Sequence, residues 1–412
     1  MVLNILPRIK CLLLSMLLLC TALAPMNTKI AGAAWFLVVL LGLFSAFQKN
    51  NNSDSQKTKA AYGWFIATSA SLLIFMAMTA YWQDSWGALH VQLRVFLAAA
   101  ACLAFVRCYA SSPKLTRWIA HAITVSCAVA FFVTWKYGRE TPSNPIPWAV
   151  GISFLPCLLL PNTLNQQEKL IHRGFWSVGV LLGIAAVLLS LTRGAYGILL
   201  WALFFYGLVF FHKMKLSKKQ LVVGGATLLL VSAAVFYSPR LWQEPLQDVQ
   251  QGWHEAKDFV YAGDPTQAMN TSVGVRLYFW PLAFSAIQQS PWLGMGRAHR
   301  KIFIHQQGLA MHSPVLAQLD HFHNDYLTFL VDYGVIGLFG FMALIGGLAL
   351  LIWQFAQWDS IAAWQLSGIL FMSSTGSLTN ANFSHNFYGV MLALSISLVL
   401  LTARDSIDEK EI

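Results

Sequence analysis

The densest group of side chains able to do chemistry is Asp320, His321, His323, Asn324 and Asp325, within LDHFHNDYLTFLVDYGVIGLFG (319–340). Histidine exchanges protons near neutrality, and an adjacent carboxylate orients or tunes it. Three readings of this run compete: a metal site, a general base, and a polar cap on the apolar segment that follows. His-x-His flanked by two Asp offers zinc ligands, but their spacing matches no strong zinc motif. Two arginines stand out as anion ligands. Arg193, in LTRGAYG (191–197), interrupts two long apolar stretches. It is either a snorkelling anchor or, since Gly194 permits a tight reversal, a guanidinium turned into the protein. Arg276, in GVRLYFW (274–280), is flanked by Val275 and Leu277, and reads either as a solvated helix face or as part of an anion site. Arginine suits the second task because its planar fork binds phosphate oxygens bidentately and stays charged at any relevant pH.

The composition admits one kind of scaffold for these residues. Of 412 residues, 57% are hydrophobic and 14% aromatic, and only 11% are charged. Soluble domains carry roughly 25% charged residues. The apolar residues here fall in continuous runs near the length that crosses ~30 Å of hydrocarbon, which excludes both a soluble domain and an alternating transmembrane barrel. The expected architecture is an all-α polytopic bundle of about twelve spans: 9–25, 30–47, 61–82, 92–110, 118–135, 146–160, 175–191, 195–212, 221–237, 333–353, 361–376 and 387–403. Abundant Trp, Phe and Tyr suit helix ends at the headgroup level. The six cysteines lie in or beside apolar spans without a CxxC pair, so neither a disulfide framework nor thiol chemistry is expected. Arg8 and Lys10 before an apolar run mimic a secretory signal, but Pro25 and a second span from Ile30 favour an uncleaved first helix.

The net charge of +10 belongs largely to orientation. With both termini cytoplasmic, the inside segments collect 16 of the 27 Lys and Arg residues, KMKLSKK (213–219) among them. The short outer loops then hold Lys29, Arg94, Lys136 and Arg139. This orientation makes the chain one membrane domain, 1–412, with a long loop at 238–323 on the outer face, which is the periplasm in a Gram-negative cell. A loop of that length is expected to hold structure or function. Trp242, Leu246, Val249, Trp253 and Ala256 recur at helical spacing, SVGVRLYFWPLAFSAIQQ (272–289) reads as a second amphipathic helix near the membrane surface, and SPWLGMG (290–296) marks a turn. The loop carries six basic and six acidic residues, so an anion site there must use particular arginines. No GxxxxGK[ST] motif is present and the outer loops lack an Asp-x-Asp pair, so neither a nucleotide nor a diphosphate-bound metal is expected.

LTRGAYG, GVRLYFW followed by SPWLGMG, and HFHNDYLTFLVDYGVIGL together resemble the O-antigen ligase and polymerase superfamily of bacterial envelope glycosyltransferases. One long loop between spans nine and ten favours the ligase branch. The resemblance implies an inner-membrane glycan transferase, similar in architecture to the helical C-type glycosyltransferases and independent of metal, cofactor and nucleotide. It would move polysaccharide from undecaprenyl diphosphate to a hydroxyl of lipid A-core oligosaccharide, completing lipopolysaccharide, with inversion by single displacement and lateral entry of both lipids. By matching motifs it implies diphosphate-binding roles for Arg193 and Arg276, and the essential histidine in His323. Arg94 is a further basic contact outside any motif, while His321, Asn324 and Asp325 support the site. The extra His321 leaves open which imidazole faces the acceptor. An O-antigen polymerase and a protein O-glycan ligase share this layout. A secondary transporter would need ionisable or broken-helix sites near the midplane, where these spans are almost free of charge.

Overall fold

The structure is a computed structural model, described for residues 2–48, 55–211, 239–261 and 270–405, and among these all regular structure is helical. Eight helices come first: α1 (Val2–Leu23), α2 (Thr28–Ala46), α3 (Gln56–Tyr81), α4 (His90–Cys108), α5 (Pro113–Tyr137), α6 (Pro145–Leu159), α7 (Leu170–Leu189) and α8 (Gly197–Phe211). Beyond residue 238 follow α9 (Gln243–Tyr261), α10 (Ser272–Gln289), α11 (Gly296–Ala310) and the short α12 (Pro314–Gln318). The described chain closes with α13 (Asp325–Phe355), α14 (Ser360–Thr379) and α15 (Asn386–Thr402). Among the described residues, eight helices are long and apolar enough to cross a membrane by length and composition, and two shorter apolar helices, Arg193–Leu208 and Asn386–Thr402, accompany them. The chain is thus a multi-pass membrane protein whose regular structure is all helical among the described residues. The expected span at 221–237 and the basic run at 213–219 lie outside the described residues.

Helix α15 is the axis of the bundle. Its residues from Phe387 to Leu401 are all buried, as expected of a helix that is apolar on every side. It packs against α2, α4 and α6. Helix α6 is equally enclosed, every residue from Pro147 to Leu159 being buried. Its two first-turn prolines need no N–H partner there, and Asn144 caps the turn by accepting from Ile146 N at 3.1 Å. The expected span at 146–160 is therefore a short central helix rather than a lipid-facing one. Large apolar side chains point outward from the surrounding helices, including Phe36, Leu73, Phe132 and Leu203. That outward apolar surface is what a bilayer covers.

A second core joins α10 to α13, in which Val275, Phe279, Ile304, Leu316 and Phe322 pack with Val331 of α13. It is locked to the bundle at a break in α13. Gly334 adopts φ 62° and ψ −157°, a region open essentially to glycine alone. A Cβ there would strike the backbone of Trp292, so the turn at 290–296 lies directly on the break. Met295 N donates to Val331 O at 2.8 Å and Val335 N to Pro291 O at 2.9 Å, which satisfies backbone groups released by the kink. Asp84 at the end of α3 caps α11, accepting from Arg297 N at 3.0 Å and Ala298 N at 3.3 Å. The expected span at 333–353 is accordingly the longer part of a helix that begins at Asp325.

Candidate active site

Helix ends converge where α7 leads through a short turn into α8. Arg193 opens that turn, and a Cβ on Gly194 would fall on Thr379 Oγ1, so the reversal lies close against the end of α14. The Arg193 guanidinium points into the protein. Its Nη2 donates to Asp248 Oδ1 at 3.1 Å, and its Nη1 lies 3.8 Å from Glu255 Oε2. Both carboxylates come from α9. Of the apolar residues picked out by spacing, Trp242 just before α9 and Leu246, Val249 and Trp253 on it are exposed and Ala256 is half-buried, because the acidic face is the one turned to Arg193.

Arg276 is set by α10. Its Nε donates to the carbonyl of Thr379 at 3.1 Å, and its Nη1 donates to Ser272 Oγ at 2.8 Å and to the Ser272 carbonyl at 2.5 Å. The solvated-face reading of Arg276 fails on this geometry. Burial, reinforced by the charges of Arg193 and Arg139, lowers its pKa from the usual guanidinium value, and an arginine still remains cationic. Arg139, Arg193 and Arg276 line one cavity of about 230 Å³ together with Asp248, Ser272 and Thr379. Three guanidinium groups against one lining carboxylate give it the charge and the donors to hold an anion.

Phe322 is fully buried and anchors the histidine loop, leaving His321 and His323 on either side of it. His323 takes a left-handed backbone conformation, φ 49°, uncommon for a residue with a side chain. His321 supports that turn, its Nδ1 accepting from His323 N at 3.3 Å. The His323 ring lies nearly parallel to Phe279 at 6.2 Å between centroids, and its Nδ1 is 3.0 Å from Asn380 Oδ1. Burial and the neighbouring Arg276 charge push the His323 pKa down to about 4. Burial and His323 itself push His321 down to about 3. Both imidazoles are therefore neutral near pH 7, the state in which one can accept a proton.

The other expected site residues fall into two groups. Asn324 caps α13, its Oδ1 accepting from Leu327 N at 3.1 Å and its Nδ2 donating to Leu378 O at 3.2 Å. Asp325 is buried with its two oxygens accepting from Asn382 N and Phe383 N, both at 3.1 Å. It fixes the turn between α14 and α15 and makes no bond to either histidine. Arg94 does not line the arginine cavity; its Nη1 donates to Asn386 Oδ1 at 3.0 Å, one residue beyond His385. Among the described residues no three His, Cys, Asp or Glu side chains are arranged to hold a metal ion.

Sequence reasoning missed Arg139 as a cavity residue and Asn380 and His385 as neighbours of the histidines. The available signals were weak: Gly138-Arg139 in a polar turn, and the polar run TNANFSHN (379–386) between two apolar helices.

The site of this helical membrane protein is an arginine-lined cavity next to a neutral imidazole, with the charge and donors to receive an anion. Residues 178–342 match the model of the family described as O-Antigen ligase, a range that contains Arg193, Arg276 and His323. This match, over less than half of the chain, supports an O-antigen ligase-family assignment; that family implies, in general, a glycosyltransferase-like ligase activity with a polysaccharide donor and a lipid acceptor. No curated protein matches the chain.

Proposed function

We propose that this protein transfers polysaccharide from undecaprenyl diphosphate to a hydroxyl of lipid A-core oligosaccharide, at the periplasmic face of the bacterial inner membrane and with both termini in the cytoplasm. The observation that carries the reading is the attachment of an anion cavity and a neutral histidine to adjacent residues, Thr379 and Asn380. In this reading Arg193, Arg276 and Arg139 hold the donor diphosphate. As the anomeric C–O bond breaks, negative charge grows on the departing phosphate oxygens, and each well-placed donor lowers the barrier by up to ~3–4 kcal/mol. His323 accepts the proton of the acceptor hydroxyl while that oxygen attacks from the face opposite the diphosphate, which inverts the anomeric centre. The base contributes roughly 10²–10⁴-fold. Before donor arrives, Asp248 and Glu255 neutralise Arg193, so the diphosphate replaces carboxylates rather than water at that group.

The reaction needs no nucleotide because the glycosyl diphosphate is already activated. The deciding experiment is the lipopolysaccharide profile of a strain lacking this gene. Complete loss of polymer on lipid A-core, with long polymer accumulating on the carrier, is the expected result. Retention of single-repeat caps on lipid A-core with loss of long chains identifies a polymerase instead.

A further inference from the structure

We infer that Asn380 is a positioning residue for the proposed general base: its side-chain oxygen holds the proton of His323 on Nδ1 and leaves Nε2 open to the acceptor hydroxyl. The inference rests on the transferase reading above and assigns a part to a residue outside both the sequence motifs and the family match, which ends at residue 342.

The argument is one of donor and acceptor accounting. Asn380 is almost wholly buried, at 1% exposure, so each of its polar atoms needs a partner. Its Nδ2 donates to Asn382 Oδ1 at 3.1 Å. That bond turns Oδ1 toward His323 Nδ1, 3.0 Å away. An amide oxygen can only accept, so Nδ1 must carry the hydrogen. A neutral imidazole has one N–H, and Nε2 is left with its lone pair. No hydrogen bond to Nε2 occurs among the described residues.

The amide itself is held from both directions. Asn380 follows the last turn of α14, where its own N donates to Gly376 O at 3.1 Å, and Asn382 N is gripped by the buried Asp325. Phe279 stacks against the imidazole and restricts its rotation. A neutral orienting group also differs in consequence from a carboxylate. It fixes the tautomer and raises imidazole basicity less than an anion would, so burial and the charge of Arg276 still hold His323 unprotonated. The remaining titratable neighbours are His321 and Asp320 on the same loop and His385 from the turn before α15.

Two substitutions test this in the purified protein, using carrier-linked glycan and lipid A-core in detergent. Asn380→Leu removes the acceptor at similar volume, and transfer should fall by about 10²-fold or more, within the range set by general-base catalysis. Asn380→Asp can only accept, so it preserves the tautomer. It should recover at least tenfold over the leucine variant, with the acid limb of its pH–rate profile moved upward because an anion now faces the imidazole. A merely structural asparagine would give no such recovery of rate by aspartate over leucine. The inference is overturned if the leucine variant matches the parent, or if the aspartate variant is as inactive as leucine while both elute and melt like the parent. That second outcome means the asparagine donates to Nδ1, with the base tautomer reversed. Failure of the parent protein itself to transfer is a different result and strikes the transferase reading.

Discussion

Arg276 and His323 are tied to consecutive residues of one short connection: Arg276 Nε donates to the Thr379 carbonyl at 3.1 Å, and His323 Nδ1 meets Asn380 Oδ1 at 3.0 Å. The first group lies in the anion cavity and the second beside it. A displacement of residues 379–380 would therefore shift diphosphate ligand and base together. The nearness also has an electrostatic consequence, because the Arg276 charge is one reason His323 is held neutral.

Replacing His323 by alanine should abolish transfer while leaving membrane insertion and abundance near normal, since its ring is only partly buried at the mouth of the bundle. His321→Ala should be milder, lowering transfer by roughly tenfold, because His321 supports the left-handed turn of His323 through one backbone hydrogen bond. Lipopolysaccharide ladders scored against protein level check both. A more severe defect at 321 than at 323 would move the base to His321.

Lysine at Arg193 or Arg276 keeps a charge but loses the fork, so each variant should remain impaired by at least about tenfold. Arg139→Lys should behave alike, although its sequence context marks it only weakly. Transfer rates for the three lysine variants at saturating acceptor provide the comparison. Parental rates in all three would mean that a generic positive field suffices.

The pH dependence has a defined sign. Protonated His323 cannot act as a base, so kcat/KM should fall as pH drops through about 4, the value set by burial and Arg276. A bound diphosphate offsets the Arg276 charge, which makes the imidazole easier to protonate. The acid limb of kcat should therefore lie at higher pH than that of kcat/KM. Coincident limbs, or a limb on kcat/KM above pH 6, would contradict the placement of Arg276 beside the base.

Gly334→Ala should destabilise the protein by on the order of 2 kcal/mol or more, from backbone strain at positive φ and from contact with Trp292. Thermal unfolding in detergent should show a clear loss. An unchanged melting temperature would mean that the break in α13 does not hold the 290–296 turn.

Much of the scaffold was legible because membrane helices announce themselves by length and apolar content: eleven of the twelve expected stretches coincide with helices among the described residues, of which eight are long and apolar enough to cross a membrane by length and composition. The amphipathic segment at 272–289 likewise forms the helix expected of it. What the pattern did not convey was orientation within the fold. On α9 the evenly spaced apolar residues face outward, because Asp248 and Glu255 are drawn to the Arg193 guanidinium. Asp325 looked like a partner for the neighbouring histidines, yet its oxygens are taken by the backbone of a turn 57 residues away in sequence. Arg139 and Asn380 stayed hidden for a related reason: their surroundings come from other helices, and the polar turns that carry them are only a weak local signal.

The most direct test of the central claim is ligation by the purified protein in detergent, given undecaprenyl-diphosphate-linked glycan and lipid A-core, with excess EDTA and no ATP. An arginine clamp cannot be stripped by chelation, whereas a metal clamp can. Product should form at the same rate with and without EDTA, and should vanish with His323→Ala. Activity that disappears on chelation and returns with zinc or magnesium would contradict the account and turn His323 from base into ligand.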